Sequence, residues 1–463
     1  MKTEHTYQSP FSWRYGSSEM RDIWSEYQTR LLWRKLWVSL AEVQAEFKLV
    51  SEEQLEELRK HESDVDMQRS MEIEKQIQHD LMAELQVFAD QCPGAGGIIH
   101  MGATSMDIKD NATVMQISGA QQLVIDRLKE LLLTLSNLID RWSDLPLIGF
   151  THLQPAEPTT LGYRFSQYAQ DLLTCYQDLI SLEERIKTKG FTGAVGTSAS
   201  YLTLVGEKNL KKFQKKLSEK IGHSFFAVAT QTYPRLQDYQ ILSVLAGTGA
   251  VLNKLAFDLR VLQSPGLGEM AEPFGEKQVG SSAMPFKQNP IKAEKINSLG
   301  RYLAQFPRIA WDNAAYSLLE RTMDDSANRR VILPEAFLAL DEMLIACNRI
   351  LAGLQVFEPQ ISRNLDMYGP FAATEQLLMH LCKAGAGRQE MHEILREHAQ
   401  VAWSEVRQGN QNPLIELVSE DQRLLEYLPA EEIRGSFSGT AYFGDAAEKA
   451  KSLSAVIMKT ISS

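Results

Sequence analysis

The chain has little that would cross-link it, anchor it in a bilayer or charge it for a polyanionic partner. Its four cysteines, Cys92, Cys175, Cys347 and Cys382, show no paired spacing, and at least two fall on apolar helical stripes where a reduced core thiol is the ordinary role. A reducing cytoplasm is therefore the expected setting. No unbroken apolar run approaches the roughly twenty residues that span a bilayer. Met1–Tyr7 is polar with no apolar stretch after Lys2, so neither a membrane span nor a secretory signal is expected. Basic excess is missing too, and the net charge of −11 argues against nucleic acid or an anionic membrane as the main partner. There is no His-Glu-x-x-His and no Cys/His cluster, so neither a catalytic metal nor another cofactor is expected. Internal repeats and low-complexity tracts are absent, and the alternating period of strands is nearly so.

What fills the 463 residues is helical period. Leu161, Phe165, Tyr168, Leu172, Cys175, Leu179, Leu182 and Ile186 step by three and four along a helix roughly thirty residues long. Ile117 to Trp142 and Phe337 to Leu354 repeat the pattern. The segment Ile241–Leu262 is apolar on two faces, one carrying Leu242, Leu245, Leu252, Ala256 and Leu259, the other Ile241, Val244, Val251, Leu255 and Leu262. A helix of that kind is buried on two sides, by a large single-chain core or by an intersubunit bundle, and several uninterrupted helices of this length favour the bundle.

Turn chemistry falls between these segments, at Cys92-Pro-Gly, Asp144-Leu-Pro, Gly190–Gly196 and Ser264-Pro-Gly. Gly94-Ala-Gly-Gly97 lacks the spacing and strand context of a phosphate loop and reads as a turn. The stretch from Ser264 to Pro290 is too long for a simple connector. It ends in Gly280-Ser-Ser-Ala-Met-Pro-Phe-Lys-Gln-Asn-Pro290, where glycine freedom, two hydroxyls and a lysine suit a mobile loop that brings a base or nucleophile and a positive charge to an anion. A solvated surface loop has the same composition.

That stretch resembles the signature loop of the fumarase/aspartase superfamily, whose members eliminate fumarate from succinyl compounds. Ile98–Asn111 and Gly149–Thr160 resemble two further active-site regions of the superfamily. Arg14-Tyr15 with Met20, His79-Asp80, Gln231-Thr-Tyr, Glu320–Arg330 and Phe437–Ala441 are similar to the adenylosuccinate lyase family within it, so the resemblance covers nearly the whole chain. It implies an all-α fold of three helical domains: 1–105 with substrate-binding residues, 106–356 as a central long-helix bundle bearing the loop 275–290, and 357–463. It further implies a homotetramer with active sites shared between subunits and a small-molecule nucleotide as substrate.

Carried over residue by residue, the resemblance makes Ser281 the catalytic base, His152 the general acid paired with the carboxylate Glu294, and His79 a catalytic contact to substrate. His100, Thr104, Ser105, Lys287 and Asn289 are implied to hold the succinyl part, with Asp80 and Gln231 also binding substrate. Arg14, Tyr15, Arg321, Ser326 and Arg330 match phosphate-binding positions, and the planar fork of a guanidinium suits phosphate. The chemistry asks for this division. A C–H beside a carboxylate is a very weak acid, so the developing aci-carboxylate needs fixed positive charge and donors while one group takes a proton and another gives one to the departing nitrogen. A serine hydroxyl is a poor base at neutral pH and needs backbone N–H groups and exclusion of water around it.

Three positions depart from the family pattern: Gln78, where arginine is common, removes one charge expected at the site, and Phe286 and Gln288 in the loop leave Ser281 and Lys287 in place. Other fumarate-releasing lyases, such as argininosuccinate lyase, and a non-enzymatic crystallin-like protein are the alternatives. The Glu320–Arg330 block stands against the first and the retained site residues against the second.

Overall fold

A computed structural model describes residues 6–437 and 442–462. Of the Phe437–Ala441 stretch, positions 438–441 lie outside the described residues. The fold is all-α, as expected, with two short two-stranded sheets and one isolated β-bridge among the described residues. Polar caps start the early helices. Ser25 Oγ accepts from Gln28 N to open α1 (Glu26–Glu46), Asp66 accepts from Arg69 N to open α2 (Met67–Ile77), and the His79 ring accepts from Met82 N to open α3 (Asp80–Gln91). Further along come α4 (Ser105–Arg141), α5 (Leu161–Glu183), α6 (Leu236–Leu262), the shorter α7 (Ile291–Leu303), α8 (Asp324–Ala352) and α9 (Glu358–Lys383).

The chain packs as two compact units. The first gathers Met1–Leu128, Cys175–Ala250 and Ser298–Ile345, and the second Lys129–Thr174, Val251–Asn297 and Ala346–Ser463. The three consecutive domains expected from the sequence follow chain order and remain our proposal.

The apolar core of the first unit collects Trp37, Leu81, Phe88, Tyr201 and Phe213, all fully buried or nearly so. Its long helices also meet through ions. Arg329 on α8 donates to Asp238 on α6 at 2.7 Å, and the Tyr233 hydroxyl donates to the same carboxylate at 2.5 Å. Arg235 donates to Asp110 on α4 at 3.1 Å and to Asp325 on α8 at 2.6 Å. By length and composition α6 could cross a membrane, although no unbroken apolar run marks it in the sequence. Its Asp238 is fully buried against Arg329 and Tyr233, the environment of a core helix in a folded interior.

In the second unit a hairpin joins β1 (Pro146–Thr151) to β2 (Gln154–Thr160), with Thr151 opposite Gln154 and a bulge between Ile148 and Phe150. Its two-residue turn is His152-Leu153, both left-handed at φ +53° and +58°, the conformation that matches the strands' twist but that side chains adopt at a cost. Pro155 and Pro158 break the alternating pattern that would have announced this hairpin in the sequence. Behind it, α9 and the following helix, α10 (Arg388–Arg407), bury Leu377, Leu381, Met391 and Ile394.

Removing one member of the buried charge network should be far costlier than a surface change. Arg329→Met strands the Asp238 carboxylate and should lower unfolding stability by about 3–5 kcal/mol. A denaturation midpoint unchanged from the parent would contradict that account.

Candidate active site

In the first unit, the turn between α2 and α3 sets His79 and Asp80 at a helix N-terminus. Gln78 closes α2 in a left-handed conformation, φ +54°. The Met82 N–H donates to His79 Nδ1 at 3.3 Å, so the ring proton sits on Nε2, which lies 3.5 Å from Ser105 Oγ on α4. Asp80 accepts from Lys109 Nζ at 2.9 and 2.7 Å and from Arg330 Nη2 at 2.8 Å. Burial pushes the Asp80 carboxyl up, but Lys109 and Arg330 outweigh it and hold it down at about 2.

His100 precedes α4 with φ +69°. The Trp37 indole N–H donates to its Nδ1 at 3.0 Å, which again leaves the proton on Nε2. Burial pulls this imidazole below its ordinary range and outweighs the nearby Asp107 carboxylate, so the ring is held neutral. Asp107 in turn organises the α4 entry. Fully buried, it accepts from the Thr104 N–H at 3.0 Å, from the N–H groups of Thr192 and Gly193 at 3.2 Å, and from the Lys189 ammonium. Thr104 and Ser105 thus stand on a clamped turn.

The expected phosphate residues in this unit fall into two groups. Arg321 donates to Asp325 at 2.7 Å, on the carboxylate that also holds Arg235. Arg321 Nε and Arg235 Nη2 have no hydrogen-bond partner among the described residues. Ser326 is in the first turn of α8, and Arg330 is one turn further on, on Asp80. The Gln231 N–H donates to the Glu320 carbonyl at 3.2 Å, tying the Gln231-Thr-Tyr stretch to the Glu320–Arg330 block. Arg14 lies over Trp13 at 4.7 Å and Tyr15 packs edge-on against Phe11, while the following N–H groups of Gly16 and Ser17 donate to Glu342 and Asp341 on α8.

The second unit carries the serine loop. Its ends are clamped by the buried Glu272, whose carboxylate accepts from the Lys292 N–H at 3.1 Å and the Ala293 N–H at 2.9 Å at the start of α7. Ser281 Oγ accepts from the N–H groups of Ala283, at 3.3 Å, and Met284, at 3.1 Å. Two backbone donors aimed at one hydroxyl oxygen favour its anionic form, the help a serine base requires. Asn289 Nδ2 donates to the Gly280 carbonyl at 2.9 Å, closing the loop on itself. A Cβ on Gly280 would stand 2.0 Å from the Lys287 carbonyl oxygen, so only glycine permits this crossing. Lys287 is exposed, as are Val279 and Phe286 at 77% and 82%, an apolar load for a loop with nothing over it.

His152, at the hairpin tip, makes no hydrogen bond among the described residues, and the Leu153 beside it is 71% exposed. Glu294 faces Arg260 at 3.6 Å. The His152–Glu294 pair expected from the sequence is not formed within one chain. Sequence reasoning overlooked Lys109, Trp37, Asp107 and Asp325. Lys109 had a usable signal, lying one helical turn after Ser105 on the same face. Trp37 and the two aspartates act from behind the site, and only the fold brings them there. Among the described residues, no group of three or more His, Cys, Asp or Glu side chains is placed to hold a metal ion.

A family model described as lyase matches residues 34–302, and one described as adenylosuccinate lyase C-terminus matches 370–453. The chain is 38% identical over 422 residues to the adenylosuccinate lyase of Schistosoma mansoni, covering 90% of this chain and 88% of that protein. It is 35% identical to the adenylosuccinate lyase of Pyrococcus abyssi, covering 95% of each. The chain belongs to the adenylosuccinate lyase family. The 3-carboxy-cis,cis-muconate lactonizing enzyme of Pseudomonas putida superimposes with a TM-score of 0.85, covering 98% of this chain and 100% of that one, at 22% identity. That likeness shows a shared fold only.

Two outcomes check this geometry. Gly280→Ala should force the loop crossing open and cut turnover by at least about tenfold, since misplacing a reacting group by about 1 Å costs that much or more. Wild-type turnover would contradict the crossing. His100 should stay neutral from pH 8 down through its ordinary value of ~6.5. With its folded pKa depressed, its contribution to stability is present above that value and is lost as pH falls toward the folded pKa. A histidine NMR titration should show no His100 midpoint above pH 6.5, and Trp37→Phe should move the midpoint upward; a midpoint near 7 in the parent would overturn this assignment.

Proposed function

We propose that the chain catalyses anti β-elimination of fumarate from adenylosuccinate, giving AMP, and from succinyl-aminoimidazole carboxamide ribotide, giving AICAR, in purine biosynthesis. The observation that carries this reading is the pair of backbone N–H groups on Ser281 Oγ, in a loop of a chain belonging to this lyase family. In the proposed reaction Ser281 removes a proton from Cβ of the succinyl group, the Cα–N bond breaks as the Cα=Cβ bond of fumarate forms, and His152 protonates the departing nitrogen. Lys287, Asn289, Thr104 and Ser105 stabilise the aci-carboxylate, and His79 and His100 donate from Nε2 to substrate oxygens. Arg14, Tyr15, Arg321, Ser326 and Arg330 take the phosphate, with Asp80 and Gln231 completing the nucleotide contacts. No cofactor enters these steps.

We further propose a cytoplasmic homotetramer whose active sites draw residues from more than one subunit, with Glu294 of one copy serving His152 of another. The outward face of α6 supports it: Gly247 and Ala250 are exposed, a Cβ on Gly247 would meet nothing within 4 Å, and Phe257 is 57% exposed. Small and apolar residues on an exposed helix stripe suit close packing against further helices.

A series of three variants tests the assignment of roles. Ser281→Ala and His152→Ala should each lose about 10²–10⁴-fold in turnover, while Ser281→Ala keeps its affinity for AMP. Arg330→Ala should chiefly weaken nucleotide binding, because its charge is engaged in both ground and transition states. Near-normal turnover in Ser281→Ala would assign the base elsewhere, with Ser282 and His79 the first to examine.

A further inference from the structure

Asp80 is shared by two cations of different character. Lys109 Nζ donates to both of its oxygens, at 2.9 and 2.7 Å, whereas Arg330 Nη2 reaches only Oδ2, at 2.8 Å. The Lys109 side chain is 22% exposed, rises from the interior of α4 and lies 5.7 Å from the Trp33 ring centroid, a face that attracts cations. The Arg330 side chain is 57% exposed. Lys109 is thus the fixed counter-ion of Asp80, and Arg330 the detachable one.

Asp80 is itself only 12% exposed, so a state in which it lost every cation would strand a charge away from water. A phosphate group arriving at Arg330 has to draw the guanidinium off this carboxylate. Without another cation, Asp80 would then be both unpaired and repulsive to the phosphate beside it.

We propose that Lys109 is a positioning residue for nucleotide binding: by remaining on Asp80 it frees Arg330 to turn to the substrate's phosphate. The exchange replaces one guanidinium–carboxylate hydrogen bond with one guanidinium–phosphate bond, and no proton moves. It rests on the reading above that Arg330 binds that phosphate.

The test is a double-mutant cycle on the full-length protein, with AMP binding measured by calorimetry and adenylosuccinate cleavage by steady-state kinetics. Lys109→Met should weaken AMP binding by about tenfold, the scale of one modest charge interaction. The KM for adenylosuccinate should rise in parallel, with kcat changing less than KM. Lys109→Arg should restore most of the affinity, because it keeps a cation on Asp80. In an Asp80→Asn background the Lys109→Met penalty should largely vanish, since no carboxylate is left to neutralise. An undiminished penalty there would mean that Lys109 meets the phosphate directly and would overturn the proposal, as would Lys109→Met binding AMP like the parent. If the parent protein itself fails to bind AMP, the nucleotide reading falls and this inference with it.

Discussion

Buried charge joins the long helices of the first unit. Asp110 on α4, Asp238 on α6 and Asp325 on α8 face Arg235 and Arg329, and Arg321 completes the set on Asp325, so that three guanidinium groups meet three carboxylates. Such a cluster adds little net stability over apolar packing, because taking each charge out of water is expensive. What it does is select an arrangement. Any helix register that separates one member from its partner strands a charge, whereas an apolar stripe tolerates a slip more readily. Arg321, Ser326 and Arg330 all stand on or next to the end of α8 that this cluster fixes, and Gln231 is tied to the same block through Glu320. The candidate binding residues are therefore placed by ions around them: Arg321 is itself one of the cluster, and Arg330 stands exposed one turn further along, on Asp80.

The two units solve different chemical problems. The first offers cations and imidazoles: Lys109 and Arg330 on Asp80, Arg321 on Asp325, and two rings whose Nδ1 atoms accept from a backbone N–H and from the Trp37 indole. Those are groups for holding an anion and donating hydrogen bonds. The second unit offers a serine whose oxygen receives two backbone donors, and a histidine held at the tip of a strained hairpin turn. Strain at His152-Leu153 persists because β1 and β2 fix the turn from both sides, and the imidazole at its tip is exposed.

Much of this was legible in the sequence, for identifiable reasons. The stripes of α4, α5 and α8 repeat at helical spacing over many turns, a signal that local composition does not disturb, and Gly280–Pro290 reads as a functional loop because glycine, hydroxyls and lysine recur within a few residues. The hairpin carrying His152 was not legible, since two prolines interrupt its alternation and only pairing across the turn reveals it. Nor were Lys109 and Asp107 as site residues. Each looks like an ordinary helix residue until α3, the Gly190–Gly193 turn and α8 are brought against α4. The division into two compact units was hidden for the same reason, because it cuts through helices whose periodicity is unbroken.

As an adenylosuccinate lyase, this chain breaks a C–N bond by elimination, leaving fumarate. The most direct measurement is product analysis by NMR after the purified protein is incubated with adenylosuccinate and, separately, with argininosuccinate. Fumarate and AMP in equal amounts are expected from the first, and no reaction with the second. Absence of fumarate from adenylosuccinate, or its release from argininosuccinate instead, would contradict it.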